Sequence, residues 1–314
     1  MTGILRPGDL KAKQDLQGYD PLKDPAAPVM FQMLDEIKPW ESVIMLYYGG
    51  SGVGKSVFAG TCGPRTLIIN IGNGITPLLS GWARKRYYQD GLPIVATISE
   101  EMDRKTGFFV AADAFDKVKR AIDWAMDKFP DRFDTIAVDD ATALKAFAMN
   151  KGLEVNEDFQ RSKTAAQAKK EKNYGLYIPA VQDYGAEMDF IDKFCADTVK
   201  FCREEKKHFV LTAHERFTYK ALKDQSGKKI GEEIDKTRPG FTGRTFPDEI
   251  TAHFDLVWRA EAIRTGGGSV YRAQTEDRMN IKAKTRYPGV FKDPEIEPNF
   301  LKIVAQIKAA NPPA

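Results

Sequence analysis

The sequence has few cysteines, no long hydrophobic segment and little net charge. Its three cysteines, at positions 62, 195 and 202, are too few and too scattered for a disulfide framework or a zinc cluster. No stretch approaches 18 apolar residues, so no membrane-spanning segment is predicted. The first seven residues lack the apolar core of a signal peptide. These absences together lead us to expect a protein of a reducing cytoplasm, without a membrane partner.

The overall charge does not identify a partner. Lysine and arginine number 47 against 44 aspartates and glutamates, which leaves a net charge of only +3. Such a balance neither requires nor excludes binding of nucleic acid. That question must be decided from the local distribution of basic residues. The hydrophobic content of 42% supports a sizeable core, and 314 residues suffice for one large α/β domain or two small ones.

The pattern of hydrophobic residues predicts three parts. Residues 1–40 are polar and proline-rich, which predicts a partly ordered N-terminal arm. In residues 41–290 apolar runs of strand length alternate with helical patterns, which predicts an α/β core with a mostly parallel sheet, followed by an antiparallel β-extension. Residues 291–314 are predicted to be a C-terminal tail with a short helix. The predicted parallel strands are 42–48, 65–70, 93–98, 133–140 and 208–214.

A glycine-rich motif follows the first predicted strand and precedes a short helical segment. It fits the pattern G-x-x-x-x-G-K-[ST] of the P-loop, which wraps backbone N–H groups around phosphate oxygens. The helix start adds a positive dipole end, the lysine reaches the β- and γ-phosphates, and the final hydroxyl binds Mg²⁺. The predicted nucleotide-binding residues are Gly49, Gly50, Ser51, Gly52, Val53, Gly54, Lys55 and Ser56.

Polar residues end two later strands and complete a predicted nucleotide site. Asp139 follows the apolar run Ile136–Val138 and is predicted to support Mg²⁺ through water. Asp140 either polarises an attacking water or caps the following helix. His214 ends the next strand, where it either senses the γ-phosphate or is a surface histidine.

These segments together resemble the RecA-like ATPases, and more narrowly the RecA-related proteins encoded by phages, including single-strand annealing ATPases. The resemblance rests on Gly49–Ser56, Thr135–Asp140, Phe209–Arg216 and Asn280–Pro288, and on the late "FD-x-V-x-R" pattern of Phe254–Arg259. It implies ATP bound between subunits of a homo-oligomer, with a basic segment reaching the γ-phosphate of the neighbour. Lys282, Lys284 and Arg286 match that segment, and strand alternation predicts all three on one face. The alternative is a solvated basic strand face.

One position departs from the family pattern. RecA-like proteins keep a water-activating acid at the end of the second core strand, where this sequence has Gly72, and Asn70 also replaces an acidic residue. This departure implies either that Asp140 substitutes for the missing acid or that ATP acts as a slowly hydrolysed switch.

The resemblance also implies two DNA-facing loops, predicted within residues 150–183 and 217–244. The first contains two basic clusters, 161–163 and 169–172, with three nearby tyrosines. The second contains five lysines, two arginines and four glycines. Basic, aromatic and mobile loops are typical of single-strand binding. Solvated helix faces and ordinary loops are the alternative.

The predicted function is an ATP- and Mg²⁺-binding RecA-like ATPase that assembles on single-stranded DNA in recombination or strand annealing. Lys55, Asp140, His214, Lys284 and Arg286 are its predicted catalytic residues. Three alternatives are a weakly or non-hydrolysing ATP-dependent scaffold or DNA-processing factor of a phage, a P-loop small-molecule kinase, and a motor that moves duplex DNA. A phage-encoded protein is expected in the host cytoplasm.

Overall fold

The computed structural model describes residues 41–72, 74–101, 112–170, 179, 181–223, 226–266, 268–278 and 280–311; of residues 156–170 and 268 it describes only the backbone. The chain divides into two units, Met1–Pro39 and Trp40–Ala314, and every described residue belongs to the second. The predicted arm 1–40 therefore lies outside the described residues. So do Tyr174 and Tyr177 of the first predicted DNA-binding loop.

Ten strands form a mixed sheet whose central part is parallel. The spatial order is β10-β8-β7-β1-β5-β4-β2-β3, with β6 paired to β5 and β9 paired to β7. Strands β7, β1, β5, β4, β2 and β3 are parallel, whereas β8, β9 and β10 are antiparallel to their neighbours. The strands are β1 (Ile44–Gly49), β2 (Thr66–Ile71), β3 (Ile94–Ile98), β4 (Thr135–Asp139), β5 (His208–Lys223), β6 (Lys229–Pro239), β7 (Leu256–Thr265), β8 (Gly268–Gln274), β9 (Lys284–Thr285) and β10 (Glu295–Ile296). The predicted fold, a mostly parallel α/β sheet with an antiparallel extension, is confirmed.

Helices cover both faces of the sheet. The helices are α1 (Lys55–Gly60), α2 (Gly81–Tyr87), α3 (Ala114–Lys128), α4 (Ala141–Lys170), α5 (Val181–Glu204), α6 (Phe246–Glu249) and α7 (Phe300–Ala310), with 3-10 turns at Thr76–Leu79, Pro130–Arg132 and Ile250–His253. One hydrophobic cluster joins α3, α4 and α5 to one face. A second joins α1 and α7 to the other. Because both faces are covered, β1 is buried along its whole length, which explains its continuous apolar sequence.

The first predicted DNA-binding loop is largely helical. Helix α4 continues to Lys170, and α5 begins at Val181, so residues 150–170 and 181–183 are not loop. A loop is predicted here because the resemblance implies one after β4 and because the second half of α4 is polar, as an exposed loop would be.

The second predicted DNA-binding loop is mainly a β-ribbon. Strand β5 does not end at His214 but continues to Lys223, and its outer half pairs antiparallel with β6 from Glu215↔Pro239 to Lys223↔Lys229. We call residues 215–239 the ribbon. Most of its side chains are exposed, and a strand without a buried face has the composition of a loop, which is why the sequence pattern predicted one.

The carboxyl ends of the parallel strands meet at one edge of the sheet. Gly49 at the end of β1 lies beside His214, and Asn70 near the end of β2 lies beside Asp139. Strand β5 separates the P-loop strand β1 from β4. This edge brings together residues that are 159 positions apart in sequence, and it forms the candidate functional site.

Candidate nucleotide site

The P-loop connects β1 to α1 and needs glycine at several positions. Gly52 and Gly54 have φ angles of +76° and +87°, in the left-handed region where side chains are strained. Gly49 is constrained by packing instead, because a Cβ there would lie 2.8 Å from the carbonyl oxygen of Ala260. These requirements explain the glycines of the motif by local geometry, and the resulting loop has the backbone freedom that a phosphate cradle requires.

Lys55 is buried and folds back on the loop. Its Nζ donates to the carbonyl oxygens of Gly49 (3.0 Å) and Gly50 (2.6 Å), and only 7% of the residue is exposed. Burial lowers the pKa of the Lys55 amine, and the nearby carboxylates of Asp140 and Asp139 oppose that shift. The Lys55 ammonium therefore lies at the P-loop with its positive charge only partly balanced by nearby carboxylates. The negative charge of a bound phosphate would balance the remainder.

Three polar side chains and one glycine meet at a corner between β4 and the start of α1. The Thr212 hydroxyl donates to Asp139 Oδ1 at 2.5 Å, and the Ser56 hydroxyl faces the same carboxylate. Burial raises the pKa of the Asp139 carboxyl, and these two hydroxyls lower it. A Cβ on Gly74 would lie 2.5 Å from Asp139 Oδ2 and 3.1 Å from Ser56 Oγ, so a larger residue there would displace the Asp139 carboxylate. We call Ser56, Asp139, Thr212 and Gly74 the metal corner.

The metal corner fits Mg²⁺. Asp139 Oδ2 is buried and has no hydrogen-bond partner among the described residues, and an unpaired buried carboxylate oxygen is costly unless a cation or its water is present. The described residues hold no group of three or more His, Cys, Asp or Glu that could bind a metal by themselves. Mg²⁺ differs from metals that need such a group, because it is bound by few protein oxygens together with phosphate and water. Ser56 and Asp139 would hold the ion, which would neutralise charge on the phosphate oxygens.

Asp140 and His214 form a short polar chain that ends at Lys55. Asp140 Oδ1 accepts a hydrogen bond from the backbone N–H of Ala143 (2.8 Å), so Asp140 caps α4. Its Oδ2 lies 3.5 Å from His214 Nε2, and His214 Nδ1 lies 3.5 Å from Lys55 Nζ. Asp140 is thus a helix cap with its second oxygen directed at the site. Both roles considered for Asp140 from the sequence are compatible with this geometry.

The absence of an acid at Gly72 has a structural basis. Gly72 has a φ angle of +80°, a conformation that strains any side chain, and a Cβ there would lie 3.5 Å from Ala143 Cβ. Asn70 is buried beside Asp139, and its Nδ2 donates to Thr97 Oγ1 at 3.2 Å. Over Thr66–Gly72, the described residues of β2 and the position after it, the chain therefore provides no carboxylate to activate water.

Sequence reasoning missed the role of Glu215, which lies against the P-loop. A Cβ on Gly50 would be 3.0 Å from Glu215 Oε1, and Arg259 Nε donates to Glu215 Oε2 at 2.9 Å. Arg259 also pairs with Glu261. Arg259 was noted in the sequence as part of the "FD-x-V-x-R" pattern. Its pairing with Glu215 depends on the register of β7 and β5 on either side of β1, which no local pattern reveals.

The basic segment lies away from the P-loop of its own chain. Lys284 pairs with Val257 near the start of β7, whereas Gly49 lies beside Ala260 further along that strand. The sequence pattern also predicts an extended strand over residues 279–285, but the structure has a strand only at Lys284–Thr285. Lys284 Nζ donates to the carbonyl oxygen of Thr251 (2.9 Å) and Arg286 Nη2 to that of Ala252 (2.8 Å), whereas Lys282 Nζ faces Asp277 (3.5 Å). The side chains of Lys284 and Arg286 therefore point to the same part of the chain, residues 251–252, whereas that of Lys282 points elsewhere. The action of Lys284 and Arg286 on a neighbouring subunit stays a prediction.

The fold and the site together define a P-loop nucleotide-binding protein: a parallel sheet, a phosphate loop after β1 and an acidic residue at the end of a nearby strand. The family model of the AAA domain matches residues 41–287, and the chain belongs to this family of P-loop ATPases. No curated protein sequence matches the chain. The predicted P-loop ATPase class is thereby confirmed, whereas the narrower likeness to phage RecA-related proteins stays a prediction. Among the described residues, no helix is both long and apolar enough to cross a bilayer.

Proposed function

We propose that this protein binds ATP with Mg²⁺, hydrolyses it slowly and assembles as a homo-oligomer on single-stranded DNA. The metal corner carries the first part of the proposal, because it places beside the P-loop hydroxyl a buried carboxylate oxygen that has no hydrogen-bond partner in the described part of the chain. Lys55 would leave the Gly49 and Gly50 carbonyls for the phosphates. Asp140 is the acid best placed to polarise water, since Gly72 provides none.

Nucleotide binding is tested with two variants that affect different parts of the site. Lys55→Ala removes the phosphate-binding amine and should abolish ATP binding measured by calorimetry, with or without Mg²⁺. Asp139→Asn keeps the size of the side chain but weakens the metal site, so the gain in ATP affinity that wild-type protein shows on adding Mg²⁺ should fall about 10- to 100-fold. Wild-type ATP affinity in Lys55→Ala would refute the P-loop assignment.

The ribbon supports the proposal of a single-strand partner. Phe217 lies opposite Thr237, and Tyr219 opposite Ile234, so one ribbon face carries both aromatic side chains and an isoleucine. Phe217, Tyr219 and Ile234 are 36%, 59% and 40% exposed. Lysines flank this face near the tip, at positions 223 and 229. Exposed aromatics with adjacent cations are the elements of sequence-tolerant stacking on unpaired bases.

The ribbon also begins at the nucleotide site. Glu215, its first residue, lies against Gly50, and the His214 carbonyl accepts a hydrogen bond from the Gly240 N–H at 2.7 Å. If binding of the γ-phosphate moved His214, the movement would therefore reach both β5 and β6 at the point where the ribbon leaves the central sheet. This connection supports a coupling between ATP and the surface proposed for DNA.

The DNA proposal is tested by a pair of ribbon variants. Tyr219→Ala should weaken binding of a fluorescent single-stranded oligonucleotide about 10-fold at fixed salt, because stacking contributes about 1–3 kcal/mol per base. Leu222→Ala is the matched control, since Leu222 pairs with Gly231 on the other face of the ribbon and is also exposed. Equal effects of the two variants, or stronger binding to duplex than to single strands, would contradict the proposal.

An ATP-dependent scaffold without hydrolysis is the second candidate, and the backbone at Gly72 favours it. The two functions share the binding site and differ in turnover. Measurable phosphate release that single-stranded DNA stimulates supports the ATPase. Tight ATP binding without release selects the scaffold.

A further inference from the structure

Tyr271 is a partly exposed aromatic side chain that lies against the P-loop. A Cβ on Gly54 would be 3.0, 3.2 and 3.4 Å from Cδ1, Cε1 and Cγ of the Tyr271 ring. The residue is nevertheless 38% exposed. One edge of the ring therefore covers the loop at Gly54, and the remainder of the ring faces solvent.

The neighbouring strand leaves room for this ring. Tyr271 lies on β8, separated from β1 by β7, so its ring must pass over β7 to reach the P-loop. The β7 residue opposite Tyr271 is Ala262, and the β7 residue beside Gly49 is Ala260. Two alanines in these positions give the tyrosine a path that larger side chains would close. Ala260 belongs to the hydrophobic cluster that contains Phe58 of α1, so Tyr271 is on the face of the sheet that carries α1.

We propose that Tyr271 forms the base subsite of the nucleotide site, with the exposed part of its ring stacking on the nucleobase. The inference rests on the proposed ATP binding and adds to it a position for the base. Phosphates held by Gly52–Ser56 fix one end of the ligand, and the ribose links them to a planar heterocycle that must lie near the loop. Tyr271 offers an aromatic surface at the loop itself, and contact with Gly54 already restricts its ring.

This subsite has a predicted chemical preference. Stacking uses the π-face that every base possesses, so the subsite should require a base without strongly selecting which one. ATP and GTP should therefore bind with similar affinity, and inorganic tripolyphosphate, which lacks the base, should bind without any contribution from Tyr271.

The experiment compares ATP with tripolyphosphate, both with Mg²⁺, by calorimetry. Tyr271→Ala should weaken ATP binding about 10-fold and leave tripolyphosphate binding unchanged, and Tyr271→Phe should retain wild-type affinity for both. Val270→Ala is the matched control, because Val270 is the adjacent residue of β8, is 44% exposed and points to the opposite face. As a second readout, the fluorescence of Tyr271→Trp should be quenched by ATP but not by tripolyphosphate.

The outcomes separate this subsite from the proposed function. Equal losses for ATP and tripolyphosphate in Tyr271→Ala would show that the ring only shields the loop, and the subsite would be wrong. Unchanged ATP affinity in that variant would also overturn it. If wild-type protein binds neither ligand, or if Lys55→Ala binds both normally, the proposed nucleotide function fails, and the subsite with it.

Discussion

The two consecutive aspartates at the end of β4 have different surroundings. Asp139 is 2% exposed, and burial raises the pKa of its carboxyl while Thr212 and Ser56 oppose the rise. Asp140 is only partly buried and uses one oxygen to cap α4. A buried carboxylate beside a hydroxyl suits a cation, whereas a partly exposed one facing His214 suits proton transfer. We therefore propose different tasks for these adjacent aspartates, support of Mg²⁺ for Asp139 and proton transfer for Asp140.

The double role of Asp140 can be resolved with two substitutions. Asparagine is as good a helix cap as aspartate but carries no charge, so Asp140→Asn should keep the Tm while turnover falls about 100-fold or more. Asp140→Ala should lose the same turnover and also about 1 kcal/mol of stability, because the N–H of Ala143 loses its acceptor. ATP affinity should change little in either. Wild-type turnover in Asp140→Asn would leave Asp140 as a cap alone.

Among the elements, those buried on both faces could be predicted from the sequence. The apolar runs 42–48 and Ile136–Val138 reflect the helices that cover both faces of the sheet, and they correspond to β1 and β4. The ribbon could not be predicted, since it does not present the apolar pattern that burial imposes. The same limit applies to the site: the P-loop and Asp139 have local signatures, but the contacts of Glu215 and Tyr271 depend on strand register.

The ion pair at the base of the ribbon should contribute strongly to stability when one partner is removed. Glu215 and Arg259 have side chains only 12% and 17% exposed. Arg259→Met would leave the Glu215 carboxylate buried, so the free energy of unfolding in urea should fall by about 3–5 kcal/mol. The double variant Glu215→Gln, Arg259→Met should regain most of that loss, because the buried carboxylate is then gone and the other partner of Arg259, Glu261, has a side chain that is 34% exposed.

An exposed pair on the same sheet provides the control. Arg272 and Glu295 have side chains 49% and 29% exposed, and Arg272→Met should cost at most about 1 kcal/mol. If Arg259→Met were no more destabilising than Arg272→Met, the ribbon base would not depend on its buried pair.

At the scale of the whole molecule, His208 should make stability depend on pH. It is 8% exposed, and its Nδ1 accepts a hydrogen bond from the Val43 N–H at 2.9 Å. Burial, with a smaller contribution from Lys308, lowers the pKa of His208 from 6.5 to about 4, and Asp134 opposes the shift. Between these values the unfolded chain binds more protons than the folded one, so the stability present above pH 6.5 is lost as pH falls towards 4, by about 3 kcal/mol.

This pH dependence is isolated by His208→Asn. The asparagine Oδ1 can accept from Val43 in place of Nδ1 but does not titrate. Urea unfolding of both proteins between pH 4 and 7 should therefore show a shallower decline in the variant, and the contribution of carboxylates cancels in the comparison. Identical declines would mean that His208 contributes nothing to the acid sensitivity of the fold.

The proposed sharing of ATP sites makes a prediction about mixtures of inactive subunits. Arg286 contacts Asp255 (3.4 Å) and the Ala252 carbonyl, but Arg203 also binds Asp255 at 2.8 Å. Arg286→Ala should therefore leave Asp255 paired and the fold intact, and any loss of turnover would not come from unfolding. The Arg286 side chain is 48% exposed, which leaves it accessible to a neighbouring subunit.

Arg286→Ala and Lys55→Ala should each be inactive alone, the first for want of a cation in trans and the second for want of a phosphate cradle. When the two variants are mixed in equal amounts, about one quarter of the interfaces should join an intact P-loop from one subunit to an intact Arg286 from its neighbour. Part of the turnover should therefore return. Arg278→Ala is the control: it removes an exposed arginine that pairs with Glu295, and it should be active without mixing. Turnover that stays at zero at every mixing ratio, with both variants folded and assembled, would mean that each subunit completes its own site.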